Sequence, residues 1–152
     1  MRKLTTALFL GSIFAGFGFA GTLVLEAEDP GANPEAQTRH AVVVAHTSAC
    51  QSPDKTIVTA TAEGLVAGQR QTIPLKVIAL SKAGTYAVAH EWPREGKWIV
   101  KLVATNPQYP NYATAVTVPI TGNRFSNTAT KQFRHAPTPD EVNMALKETP
   151  LE

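Results

Sequence analysis

The chain has 152 residues, a formal net charge of +2 and a single cysteine. Two of its 14 basic residues, Arg2 and Lys3, stand at the very start, so the rest of the chain balances 12 acidic residues with as many basic ones. That balance excludes a nucleic-acid binder or a polybasic membrane patch working by bulk positive charge, and one cysteine excludes an intramolecular disulfide framework. The length suits one domain.

The first element reads as a targeting signal. Met1-Arg2-Lys3 is a short positive region, residues 4–20 are uncharged and apolar, and Gly18-Phe19-Ala20 offers small residues at −3 and −1 of a cut before Gly21. This is the pattern of a secretory signal peptide over residues 1–20. The alternative is an uncleaved anchor, because the uncharged stretch 4–25 is long enough to span a bilayer. Positive charge at the start keeps that end cytoplasmic in both cases. The remainder is therefore expected in the periplasm or outside the cell, touching a membrane only if the N-terminal segment stays uncleaved.

Residues 21–38 read as an N-terminal strand, 22–27, followed by a linker. Segment 28–38 holds two prolines, a glycine and three acids, a loop composition. Beyond it, 39–46, 55–63, 71–80, 85–92, 97–105 and 112–120 each have strand character. Ile73, Leu75 and Val77 share one face; so do Tyr86, Val88, His90 and Trp92; so do Trp98, Val100, Leu102 and Ala104. Period-2 alternation of this kind marks half-buried strands. Turn residues punctuate the chain at 52–54, 64–68, 82–84, 93–96 and 106–110. Six to seven short strands with turns about every ten residues predict an all-β antiparallel sandwich over 39–121.

The character then changes. Residues 122–137 carry few apolar side chains and read as extended or disordered. Thr138-Pro139-Asp140-Glu141 is a capping-box sequence with Pro at the first helical position. It predicts a short helix over 139–147, with Val142, Ala145 and Leu146 as a small apolar stripe, in a flexible tail spanning 122–152.

Within the sandwich, Gly84-x-Tyr86 is followed by Pro93-x-x-Gly96-x-Trp98 and then by alternating apolar residues. This skeleton resembles the C-terminal hairpin of YtkA-like and FixH-like exported domains, and the resemblance implies an immunoglobulin-like sandwich. On that reading 93–96 makes the turn, and Tyr86 and Trp98 face the core as a cross-strand aromatic pair. Some members of the resembled group sit near copper or cytochrome oxidase biogenesis and have Met-rich or His-rich loops. This chain has only Met1 and Met144.

His40, His46 and Cys50 lie within eleven residues, and His90 is elsewhere. Imidazole and thiolate together suit copper or zinc. On one strand His40 and His46 would be about 20 Å apart, so His46 and Cys50 form the better pair. His90, on the face of Tyr86 and Trp92, reads first as a core histidine. Ser48, Ser52 and Asp54 lack the nucleophile elbow of a hydrolase. Glu26, Glu28 and Asp29 lack the ordered spacing of a calcium loop. Tyr109-Pro110-Asn111-Tyr112 could stack on sugar rings or pack the loop. These features predict a non-catalytic binding or interaction module of the cell envelope with a protein partner and no cofactor. The alternative is periplasmic copper or zinc handling by His46 and Cys50, with His40 and His90 as further candidate ligands.

Overall fold

The computed structural model describes residues 23–48, 55–122 and 124–149. The segment 1–20 expected as a signal peptide, Cys50 and the turn expected at 52–54 lie outside the described residues. In chain order, β1 (Val24–Glu28) leads through a 3-10 turn (Pro30–Ala32) and the short helix α1 (Pro34–Thr38) into β2 (Ala41–Ser48). Then come β3 (Ile57–Val66), β4 (Gln69–Leu75), β5 (Val77–Ala79) and β6 (Thr85–Ala89). The chain continues through β7 (Lys97–Thr105), β8 (Ala113–Thr121), β9 (Arg124–Phe125) and β10 (Lys131–Phe133) to α2 (Pro139–Glu148). No helix among the described residues is long and apolar enough to cross a membrane.

The fold is the expected all-β antiparallel sandwich. A four-stranded sheet runs β1-β2-β6-β5; a six-stranded sheet runs β10-β8-β7-β3-β4, with β9 also on β8. The strands outnumber the expected six or seven for two reasons. The segment 71–80 divides after Leu75, so that β4 closes one sheet and β5 the other. The tail adds β9 and β10. Ile73, Leu75 and Val77 still face one core. Both sheets look inward at the same apolar layer, so alternation alone does not register a change of sheet.

The same effect corrects the aromatic hairpin. β6 lies in the four-stranded sheet and β7 in the six-stranded one. Segment 93–96 therefore crosses between sheets, and Tyr86 and Trp98 are not neighbours on adjacent strands. The ring beside Trp98 is Trp92, with centroids 6.3 Å apart and planes tilted by 35°. The Trp98 indole donates to the Glu95 carbonyl at 2.8 Å, which satisfies its one polar atom.

β7 lies between β3 and β8 and buries apolar side chains on both sides. Trp98, Val100, Leu102 and Ala104 point into the sandwich and are buried. Ile99 points outward and is equally buried, because Val142, Ala145 and Leu146 of α2 cover it. Burial of each large aliphatic side chain contributes about 1.5–3 kcal/mol, enough to hold a helix too short to persist alone. The capping box forms as the sequence predicts. Thr138 Oγ1 accepts from the Glu141 amide, and the Glu141 carboxylate accepts from the Thr138 amide at 2.7 Å.

The other sheet has a smaller cover. Asn33 caps α1 through its side chain, which accepts from the Ala36 amide at 3.0 Å. Ala36 then packs with Val44, Leu80 and Ala87 on the outer side of β2 and β6. The segment expected as a plain linker thus contains a one-turn lid.

Gly64 sits opposite Trp98 in the β3–β7 register. A Cβ there would lie 2.4 Å from the indole ring. The bare backbone is what lets the ring lie flat across β3. Gly64→Ala is expected to destabilise the fold by about 2 kcal/mol through overpacking. Urea denaturation measures this, and an unchanged midpoint would contradict the packing.

A candidate binding cleft on the outer face of the four-stranded sheet

Alternation along β1 sends Leu25 and Ala27 inward to the core and leaves Glu26 and Glu28 on the outer face. On β2, Val43 and Ala45 point inward. His46 pairs with Glu26 on one side and with Thr85 of β6 on the other. Glu26, His46 and Thr85 thus form a row across three strands, with Glu28 one diagonal step away.

His46 is held through both ring nitrogens. Nε2 lies 2.9 Å from Glu28 Oε2, and Nδ1 lies 3.1 Å from Thr85 Oγ1. A carboxylate only accepts, so Nε2 carries the proton it donates. In the neutral ring Nδ1 then accepts from the Thr85 hydroxyl. Thr85 is buried, so the inner side of this arrangement is fixed.

The row floors a cleft of about 470 Å³. Ala32 and Asn33, leading into α1, wall one side; Lys82, Ala83 and Gly84 wall the other. The second wall is tied down. The Thr47 amide donates to the Gly84 carbonyl at 2.8 Å, and Gly84 has φ 71°. A Cβ on Gly84 would stand 2.7 Å from the Thr47 carbonyl oxygen, so this close approach needs glycine. Glu26, Glu28 and Lys82 are exposed. The polar end of the cleft therefore carries two carboxylates against one ammonium, a setting that favours a cationic group from a ligand.

Of the four residues singled out as metal candidates, the two other described histidines do not gather at His46. His46 is in the cleft. Cys50 lies outside the described residues. His40 precedes β2, at the end opposite His46, exposed and with φ 53°. His90 follows β6 and meets Trp92 edge-on at 4.5 Å. Its Nε2 is buried without a hydrogen-bond partner, and burial, with help from Arg94, pushes its pKa down. Among the described residues no group of three or more His, Cys, Asp or Glu side chains is placed to hold a metal ion. Nε2 of His46 would have to give up its proton and its Glu28 bond to become a ligand. Glu26, Glu28 and Thr85 are the residues that sequence reasoning left out of the site. Part of the signal was available: Val24-Leu25-Glu26-Ala27-Glu28 alternates, which puts both carboxylates on the same face, whereas Thr85 reaches His46 only through the β2–β6 register.

A second charged cluster is structural. Glu63 on β3 is 2% exposed. Its Oε1 accepts from Lys101 at 2.6 Å and from Thr61 at 3.1 Å; its Oε2 accepts from Thr72 at 2.7 Å and from Arg70 at 2.9 Å. Arg70 also donates to Asn143, which ties the cluster to α2. Burial pushes the Glu63 carboxyl up, but the bonds from Lys101, Thr72 and Arg70 outweigh it and bring the pKa to about 2.

No protein-family model, curated protein or solved structure matches this chain.

The Glu63 cluster carries a pH prediction. Its folded pKa lies below the ordinary 4.5. Its stabilisation is therefore complete above about pH 4.5 and is lost as pH falls towards about 2, a change of about 3 kcal/mol. Urea denaturation of the native chain and Glu63→Gln should show a stability gap that is widest near neutral pH and narrows in acid. A gap independent of pH would contradict this account.

Proposed function

We propose that this chain is an exported, non-catalytic binding module of the cell envelope that takes a protein partner on the β1 side of its four-stranded sheet. The observation that supports this most directly is the position of β1. It pairs with β2 on one side and is hydrogen-bonded to no other strand among the described residues, although it also packs close to β8 of the facing sheet. Such an edge offers unpaired main-chain groups to an extended segment of another chain. The face that the added strand would continue carries Glu26 and Glu28, next to the acidic end of the cleft. The fitting partner is therefore an extended segment with Lys or Arg at alternate positions, its main chain on β1 and a basic side chain beside the two carboxylates. Export in this reading rests on residues 1–20, whose charge and apolar pattern is that of a signal peptide.

The test uses two labelled extended peptides, one with Lys and one with Glu at alternate positions, titrated against the protein by fluorescence anisotropy. The Lys peptide should bind, more weakly as salt rises. The double variant Glu26→Lys/Glu28→Lys should bind it about tenfold more weakly and gain affinity for the Glu peptide. Equal binding of both peptides, or a double variant that behaves like the native chain, would overturn the proposal.

A further inference from the structure

We propose that the loop joining β7 to β8, residues 106–112, is a separate binding surface: a stacking platform for the sugar rings of a neutral glycan, anchored by Tyr112 beside Tyr109. This inference does not depend on the β1 reading and could stand without it.

An antiparallel pair such as β7 and β8 needs only two residues to connect it. This connection is longer and reads Asn-Pro-Gln-Tyr-Pro-Asn-Tyr, with no charged residue. Its backbone is set by two β-turns in series. The Tyr109 amide donates to the Asn106 carbonyl at 2.9 Å, and the Tyr112 amide donates to the Tyr109 carbonyl at 2.9 Å. Pro107 and Pro110 occupy the second position of each turn, where a fixed φ is already the required one. The Asn106 side chain adds a brace by accepting from the Gln108 amide at 3.0 Å. Because the second turn begins at Tyr109 and ends at Tyr112, their Cα atoms are held within about 7 Å.

Tyr112 is 68% exposed and Tyr109 40% exposed. The loop thus keeps the Tyr112 ring largely in water, with part of the Tyr109 ring exposed beside it, on a backbone that loses little further freedom when a ligand binds. Preorganised tyrosines give contact area at low entropic cost, and neighbouring amide side chains supply adaptable hydrogen bonds. Asn111 and Gln108 are such amides. The choice of ligand follows from charge and chemistry. A loop without ionic groups offers no counter-charge to a phosphate, a carboxylate or a basic peptide. A neutral pyranose fits it: its C–H face lies on the electron-rich face of a tyrosine ring, and its hydroxyls pair with the amides.

Affinity electrophoresis of the full chain tests this, with soluble hydroxyethyl cellulose, xylan, galactomannan and glycol chitin in the gel. At least one of these neutral polymers should retard the protein, equally at low and high salt. Tyr112→Ala should weaken the retardation about tenfold, whereas Tyr112→Trp, which keeps a stacking ring, should retain it. Matching thermal melts of the variants would show that the fold is intact. No retardation by any of the four polymers overturns the proposal. So does retardation lost with salt, a Tyr112→Ala variant that is retarded like the native chain, or a Tyr112→Trp variant that loses binding with an unchanged melt.

Discussion

Strand β7 carries four apolar side chains into the sandwich and sends Ile99 out on the opposite face, and both sets are kept from water. Much of the remaining structure answers that demand. A six-stranded sheet with an apolar residue on its outer side needs a second cover, and α2 supplies it with three side chains. The chain reaches that position through β9 and β10, which add to β8 on the way. The polar cluster around Glu63 lies on the same outer face, and Arg70 links it to α2 through Asn143. A carboxylate almost wholly removed from water is tolerable there because four donors meet it.

The four-stranded sheet answers the same problem with less material. α1 is one turn long and covers Val44, Leu80 and Ala87 through Ala36. Its cover does not extend over the row of Glu26, His46 and Thr85, and the cleft is the space beside it. The cleft thus follows from where the lid stops. Its floor is a row of side chains on paired strands, its histidine is held at both nitrogens, and its acidic rim belongs to an edge strand. Rigid strands under polar side chains suit recognition, where little is lost to ordering on binding.

Most of this was legible in the residues. Segment 97–105 forms the strand its alternation predicts, over the same bounds, and Thr138-Pro139-Asp140-Glu141 starts the helix that its capping pattern predicts. The misses have physical causes. Period 2 tells inward from outward but is blind to which sheet a strand joins, so the crossing after Leu75 and the crossing at 93–96 were both invisible. Asn33-Pro34-Glu35 carries the same kind of cap and proline signal as α2, yet its acids and prolines read as a linker because no apolar stripe follows. The histidine was found by residue type. Its partners Glu28 and Thr85 come from strands that only the register brings alongside.

The central claim is that β1 is a receiving edge for a strand with basic side chains. Hydrogen–deuterium exchange read residue by residue tests it most directly, with and without a Lys-alternating extended peptide. The account predicts that some β1 amides exchange quickly in the free protein and become protected when the peptide is added, while β7 is protected throughout. Protection that appears elsewhere and leaves β1 unchanged, or β1 amides already fully protected in the free protein, would contradict it.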